Sequence, residues 1–276
     1  MTVIAFVGSV FSPYYAWKGR KRPEDHVSIN VCLYGPRAAW AMTERGETQL
    51  RRDERHFRVG PSQLQWENGT LTVEFDERAV PVPRRVRGRI KLRPASLNKR
   101  PFEIATGHHW RPIAPSGSIE LDAPELGLSW RGHGYHDTNA GAEGLEHAFK
   151  RWDWSRYRRP GGGGAILYEI EPRDEPTHTL ALRFAKDGAL EEFDAPPRQT
   201  LRRGLWGVRR GVARDEGTTA KLVRSLEDAP FYTRSEITSQ LAGEAVTGVH
   251  ETFDGDRFGT RWVKALLPFR MPRRAS

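Results

Sequence analysis

The chain has 276 residues, of which 37% are hydrophobic, 29% charged and 10% aromatic. Nine Trp, seven Tyr and twelve Phe supply enough ring surface for a core, which excludes disorder throughout, and a single cysteine, Cys32, excludes an internal disulfide framework or a Cys-rich zinc site. Forty-four Lys and Arg against 35 Asp and Glu leave a formal charge of +9, which suits an anionic partner such as nucleic acid or a membrane surface.

The first apolar stretch, residues 3–10, falls far short of the ~20 residues that cross a bilayer. No basic region precedes it and no small-residue cleavage pattern follows, so no secretory signal is expected and the cytoplasm is the expected compartment. Short alternating segments then dominate. Strands are expected at 26–34, at 71–75 after the Glu67-Asn68-Gly69 turn, and at 85–92, 110–121 and 128–135. Further strands are expected at 165–171, 179–184, 204–210, 221–226 and 245–253, with Lys186-Asp187-Gly188 as a turn. The only helix expected is short, over 142–149, with a further turn near the C-terminus. Many short strands with regular turns indicate a mainly β protein, a sandwich or barrel. Gly161-Gly162-Gly163-Gly164 is the one conspicuous break. It reads as a linker between two β domains or as a long hairpin loop, and the domain boundary is placed beside it, giving 1–157 and 158–276.

Familiar catalytic templates are missing. The four glycines lack the Lys and Ser/Thr of a phosphate loop, and there is no Gly-x-Ser-x-Gly elbow. His108 and His109, like His133 and His136, point to opposite faces of a strand, so no metal site is expected. The stretch Tyr135-His136-Asp137 differs. Tyr135 and Asp137 share a face if the strand persists that far, with Gly132 and Gly134 on the other. A carboxyl group among aromatic side chains has its charged form disfavoured by desolvation and becomes a candidate proton donor. The competing reading is plain: Asp137-Thr138-Asn139-Ala140-Gly141 also suits a capped turn before a helix. His108 and Trp110 share a face. Trp152 and Trp154 share another, with Asp153 opposite. Such rings are commonly core, but they also suit an apolar pocket whose π-faces stabilise a cation.

Taken in order, several segments resemble a known family. They are Phe6-Val7-Gly8-Ser9-Val10-Phe11-Ser12-Pro13-Tyr14-Tyr15-Ala16-Trp17, Trp40-Ala41-Met42-Thr43-Glu44-Arg45-Gly46 and Val82-Pro83-Arg84-Arg85-Val86-Arg87-Gly88. They continue with Trp110-Arg111-Pro112-Ile113-Ala114-Pro115, Gly134-Tyr135-His136-Asp137-Thr138-Asn139 and Trp152-Asp153-Trp154-Ser155-Arg156. The last two are Leu226-Glu227-Asp228-Ala229-Pro230-Phe231-Tyr232-Thr233-Arg234-Ser235 and Leu267-Pro268-Phe269-Arg270-Met271-Pro272-Arg273-Arg274. Together they resemble the acyclic carotenoid 1,2-hydratases of phototrophic bacteria, also called hydroxyneurosporene synthases, in a short form without a long N-terminal extension.

The resemblance implies two tandem lipocalin-like antiparallel β-barrel domains with very little helix. It implies a cofactor-independent lyase adding water across the terminal C1=C2 bond of neurosporene, lycopene or related acyclic carotenes. It also implies roles for Asp137, Tyr135, His108 and Trp110 in catalysis, with Trp152, Trp154 and His136 expected to line the substrate. Because carotenes live in bilayers, the Arg clusters are expected to hold the protein peripherally on anionic lipid. A non-catalytic pigment or lipid carrier and a cofactor-free cyclase are the alternatives. No nucleic-acid partner is expected, since only Trp206, between Arg203 and Arg209, combines a stacking ring with basic neighbours.

Overall fold

A computed structural model describes residues 1–159 and 161–274. The chain opens with β1 (Thr2–Val7), α1 (Pro13–Trp17), β2 (Val27–Leu33), β3 (Ala39–Met42), β4 (Leu50–Arg52), β5 (His56–Val59), β6 (Ser62–Glu67), β7 (Thr70–Val80) and β8 (Arg85–Pro94). Next come β9 (Phe102–Ala105), β10 (His108–Ala123), β11 (Leu128–Gly141), α2 (Leu145–Ala148), β12 (Phe149–Arg158), β13 (Gly164–Pro172) and β14 (His178–Phe184). The remainder is β15 (Leu190–Glu192), β16 (Arg198–Leu201), β17 (Arg210–Ala213), β18 (Lys221–Asp228), β19 (Tyr232–Leu241), β20 (Glu244–Asp254), α3 (Gly255–Phe258) and α4 (Arg261–Arg270). A mainly β, antiparallel protein is what the alternation in the sequence predicts.

The chain divides into two compact units, each assembled from separated segments. Unit 1 comprises Met1–Pro94, Ser118–Gly134 and Lys264–Ser276, and unit 2 comprises Ala95–Gly117 and Tyr135–Val263. The boundary expected at 157/158 therefore falls inside unit 2. There β12 and β13 pair antiparallel, Arg158 opposite Gly164, so the glycine run joins two neighbouring strands instead of separating two domains. Gly163 has a φ of +74°, and a Cβ there would meet the carbonyl oxygen of Phe184 at 2.1 Å, so this turn needs glycine.

In unit 1 the strand order is β1-β2-β3-β7-β6-β5-β4, with β8 beside β7. Every residue of β2 is buried, so both of its faces are covered, whereas β7 alternates. Asn68 and Gly69 both take positive φ, 48° and 71°, and close the β6–β7 hairpin where the Asn-Gly pair predicts it. Beyond α4 the chain returns to this sheet. Glu44 and Arg273 form a parallel bridge, and the Arg273 guanidinium hydrogen-bonds the buried Glu44 carboxylate and lies 3.3 Å from Asp25.

Unit 2 holds a sheet in the order β15-β14-β13-β12-β20-β19-β18 and the separate two-stranded β16–β17 ribbon, and it also carries β9, paired with the start of β10, and the end of β11. Tyr157, Leu167, Leu201, Val212 and Ile237 belong to one buried cluster in this unit.

Several local expectations shift. Residues 204–209 form a loop, because the Leu205 N–H goes to the Asp228 side chain and Gly207 N–H closes a turn on Gly204; Arg210 opens β17. The expected helix shrinks to Leu145–Ala148, since Phe149 already opens β12. The C-terminal turn becomes a ten-residue helix. Strands β1, β3, β4, β5, β9, β15, β16 and β19 lie outside the expected segments.

Candidate active site

Strand β11 persists to Gly141 and does not turn at Asp137. Tyr135 and Asp137 thus stay on one face, and the Tyr135 hydroxyl donates to Asp137 Oδ2 at 3.0 Å. On β10, His108 and Trp110 are buried and the intervening His109 is exposed, as alternation requires. The Trp110 indole N–H donates to the same Asp137 Oδ2 at 2.9 Å. Both hydrogen bonds therefore fall on one carboxyl oxygen and come from uncharged donors.

The wall around this group follows from strand register. Residues directly opposite one another on neighbouring strands share a face. One row across β13, β12, β20 and β19 reads Tyr168, Trp154, Glu251, Arg234; the next reads Ile170, Trp152, Phe253, Tyr232. Ring contacts link the rows to the acid. Trp110 meets Tyr168 edge-on at 5.5 Å, Tyr135 lies 5.4 Å from Trp154, and Trp152 stacks on Phe253 at 5.6 Å while touching Tyr168. The Arg156 guanidinium, two residues beyond Trp154, lies over the Tyr135 ring at 5.4 Å. Five of the residues singled out in the sequence, Tyr135, Asp137, Trp110, Trp152 and Trp154, are thus brought into one aromatic cluster.

Burial among these rings pushes the Asp137 carboxyl up to about 6, against the two donors on Oδ2, which favour its charged form. The nearby Glu251 pushes in the same direction. Glu251 is itself held by the Tyr232 hydroxyl at 2.6 Å and by Arg234 Nε at 2.8 Å.

Asp153 on the opposite face shows the contrast. It too is buried, but His250, Arg151 and Arg198 surround it and hold it well below the usual carboxylate range; Thr252 also donates to it. One environment fixes a charge, and the other favours a proton.

His108 and His136 stand apart from the cluster. His108 packs edge-on against Phe149 at 5.0 Å, and its ring covers Gly141 so closely that a Cβ there would meet Nδ1 at 2.3 Å. Burial lowers its pKa, so the ring is neutral, and Nε2 has no protein hydrogen-bond partner among the described residues. His136, expected to line substrate, alternates to the face of β11 opposite Asp137. Burial, with Arg111 nearby, lowers it to about 4.

The whole chain matches one family model. The model describes the carotenoid hydratase CrtC and aligns with residues 3–276. The chain belongs to the carotenoid hydratase family. It is 46% identical over 280 residues to the acyclic carotenoid 1,2-hydratase of Thiocapsa roseopersicina, covering 99% of this chain and 69% of that protein. Against the acyclic carotenoid 1,2-hydratase of Cereibacter sphaeroides it is 39% identical over 275 residues, covering 99% and 98%. The sequence-based expectation of an enzyme of the hydro-lyase class stands. A solved structure of CghA with Sch210972 superposes with a TM-score of 0.47 at 14% identity, covering 83% of this chain and 74% of that one.

In this carotenoid hydratase family member, sequence reasoning missed Tyr168, Tyr232, Arg234, Glu251 and Arg156. Tyr232-Thr233-Arg234 carried a usable signal, an alternation placing Tyr and Arg on one face. Without β19 drawn there was no strand on which to set it.

Proposed function

We propose that the protein hydrates the terminal C1=C2 double bond of an acyclic carotene, such as neurosporene or lycopene, without a cofactor, and that Asp137 is the acid. The observation carrying this reading is a carboxyl group held on one oxygen by Trp110 and Tyr135 alone, within an aromatic cluster that raises it to about 6.

A trisubstituted alkene is a weak base, so protonation is the hard step. With Oδ2 occupied by two donors, Oδ1 is the oxygen that carries the proton. It passes to C2, and the electron pair of the double bond forms the new C–H bond. The positive charge falls on C1, a tertiary centre stabilised by the π-faces of Trp110 and Tyr135. Water adds its oxygen to C1 and releases a proton, which the Asp137 carboxylate takes back. The product is a 1-hydroxy carotenoid and the acid is restored. The Tyr135 hydroxyl, already in contact with Asp137, positions the water. Trp152 and Trp154 line the polyene. An apolar chain in the cluster displaces water and raises Asp137 further, so the acid is best armed when substrate is bound.

Carotenes reach such an enzyme from a bilayer, so we place it peripherally on the cytoplasmic face of an anionic membrane. The tandem lipocalin-like reading of the fold belongs to the same proposal, since such barrels are lined for apolar ligands.

The test is incubation of the purified protein with lycopene or neurosporene in detergent, without added cofactor, followed by mass analysis. A gain of one water per reacted end group is expected, and far less product with Asp137→Asn. Pigment that binds and keeps its mass, as a carrier or cyclase would leave it, sinks the proposal.

A further inference from the structure

Helix α4 is apolar on two sides. Val263 and Leu267, four residues apart, form its buried stripe. Trp262, Leu266 and Phe269, at i, i+4 and i+7, form a second stripe that is left exposed, Phe269 by 74%. Trp206 stacks on Trp262 with centroids 6.0 Å apart, and its neighbour Leu205 is 97% exposed.

The loop that carries Leu205 and Trp206 is pinned. Its Leu205 N–H donates to Asp228 Oδ2 at 2.8 Å, and Arg257 Nη1 donates to the Trp206 carbonyl at 2.6 Å. Fixed hydrogen bonds thus hold large apolar side chains out in water, where no folding free energy is gained from them.

The charge around this patch has one sign. Arg202, Arg203 and Arg209 are exposed on either side of the loop tip, and Arg261 and Arg270 are exposed at the two ends of the helix. Neither residues 198–214 nor residues 257–274 include an acidic side chain. Asp228, which accepts the Leu205 N–H, is offset by the buried Arg210 at 3.7 Å. Indoles beside a protruding Leu, flanked by Arg, are the chemistry of an interfacial anchor: rings at headgroup level, an apolar tip below and cations on lipid phosphate. Leu205, the most exposed side chain of the patch, offers a nucleic acid no ring to stack on.

We propose that Leu205, Trp206 and Trp262 form the surface on which this protein docks to an anionic lipid bilayer. This locates the membrane contact proposed above and is independent of the chemistry at Asp137.

The experiment is flotation of the full chain with phosphatidylcholine vesicles, with and without phosphatidylglycerol. The parent is expected to float with the anionic vesicles and to be released by salt. Leu205→Ser/Trp206→Ser and, separately, Arg202→Glu/Arg203→Glu are each expected to lower the partition coefficient about tenfold. Both pairs are exposed, so folding is expected to survive, and turnover of detergent-dispersed lycopene is expected to match the parent. Product missing in detergent while the flotation pattern holds defeats the hydratase reading and leaves the docking surface standing. Equal flotation of the parent and both variants overturns the docking surface. So does a lipid-free dimer that Leu205→Ser dissolves, because the patch then belongs to a second copy of the chain.

Discussion

Trp110 and Asp137 face each other across β10 and β11, joined by one 2.9 Å hydrogen bond from indole N–H to carboxyl Oδ2. The bond orients the acid without neutralising it by a full charge. Asn in place of Asp137 keeps an oxygen able to accept from both Trp110 and Tyr135 but has no proton to give. Asp137→Asn is expected to lower turnover by about 10²–10⁴, the usual range for a general acid. It should also lack the cost of a buried carboxylate and be more stable at pH 8 by on the order of 2 kcal/mol. Mass analysis of products and urea unfolding of both proteins check the two halves.

The pH profile follows from the same carboxyl. Its folded value, about 6, lies above the ordinary 3.8 of an unfolded aspartate. Its stabilising share is complete below about 4. It is lost as pH rises through about 6, because the folded chain then holds an ionised group it disfavours. Activity needs the proton, so kcat/KM is expected to fall with unit slope above about pH 6 in the free enzyme. A flat profile from pH 5 to 9 would remove Asp137 as the acid.

Trp110→Phe separates the indole N–H from the ring. The edge contact with Tyr168 is kept in kind while the donor to Oδ2 is lost. That donor favours the charged carboxyl, so its removal should raise the Asp137 pKa. The descending limb is expected to move to higher pH, with the plateau lowered only about tenfold by a looser acid and a weaker π-face. A limb shifted to lower pH would contradict this account.

Asp153 offers the structural control. Its pKa is depressed, so its contribution is present above the ordinary carboxylate range and is lost only in strong acid. Asp153→Asn leaves Arg151, Arg198 and His250 short of a buried anion, and is expected to cost about 3 kcal/mol. Because the side chain points away from the aromatic cluster, turnover per folded molecule should be little changed. Calorimetry with activity at a low temperature tests both.

How far the site was legible depended on the reach of each clue. Period-two alternation is local, and it paired Tyr135 with Asp137 and Trp152 with Trp154. The indole-to-carboxyl bond joins residues 27 apart, and nothing local encodes it; the family resemblance pointed to both residues but not to the bond. Tyr168 and Glu251 reach the site only through the register of β13, β12 and β20, which depends on long-range pairing. His136 misled because neighbouring positions in a motif look like partners, although a strand sends them to opposite sides. The glycine run misled in another way. Composition reports a flexible stretch, not whether the strands it joins pair with each other.

The bridge between Glu44 and Arg273 has a consequence for how the polypeptide is made. Unit 1 draws on the first 94 residues and on the stretch from Lys264 onward. A nascent chain leaving the ribosome must complete nearly all of unit 2 before it can close the sheet it started with. Until Arg273 emerges, the buried carboxylate of Glu44 lacks this cation, and the opening sheet stays without the strand-like segment that bridges it.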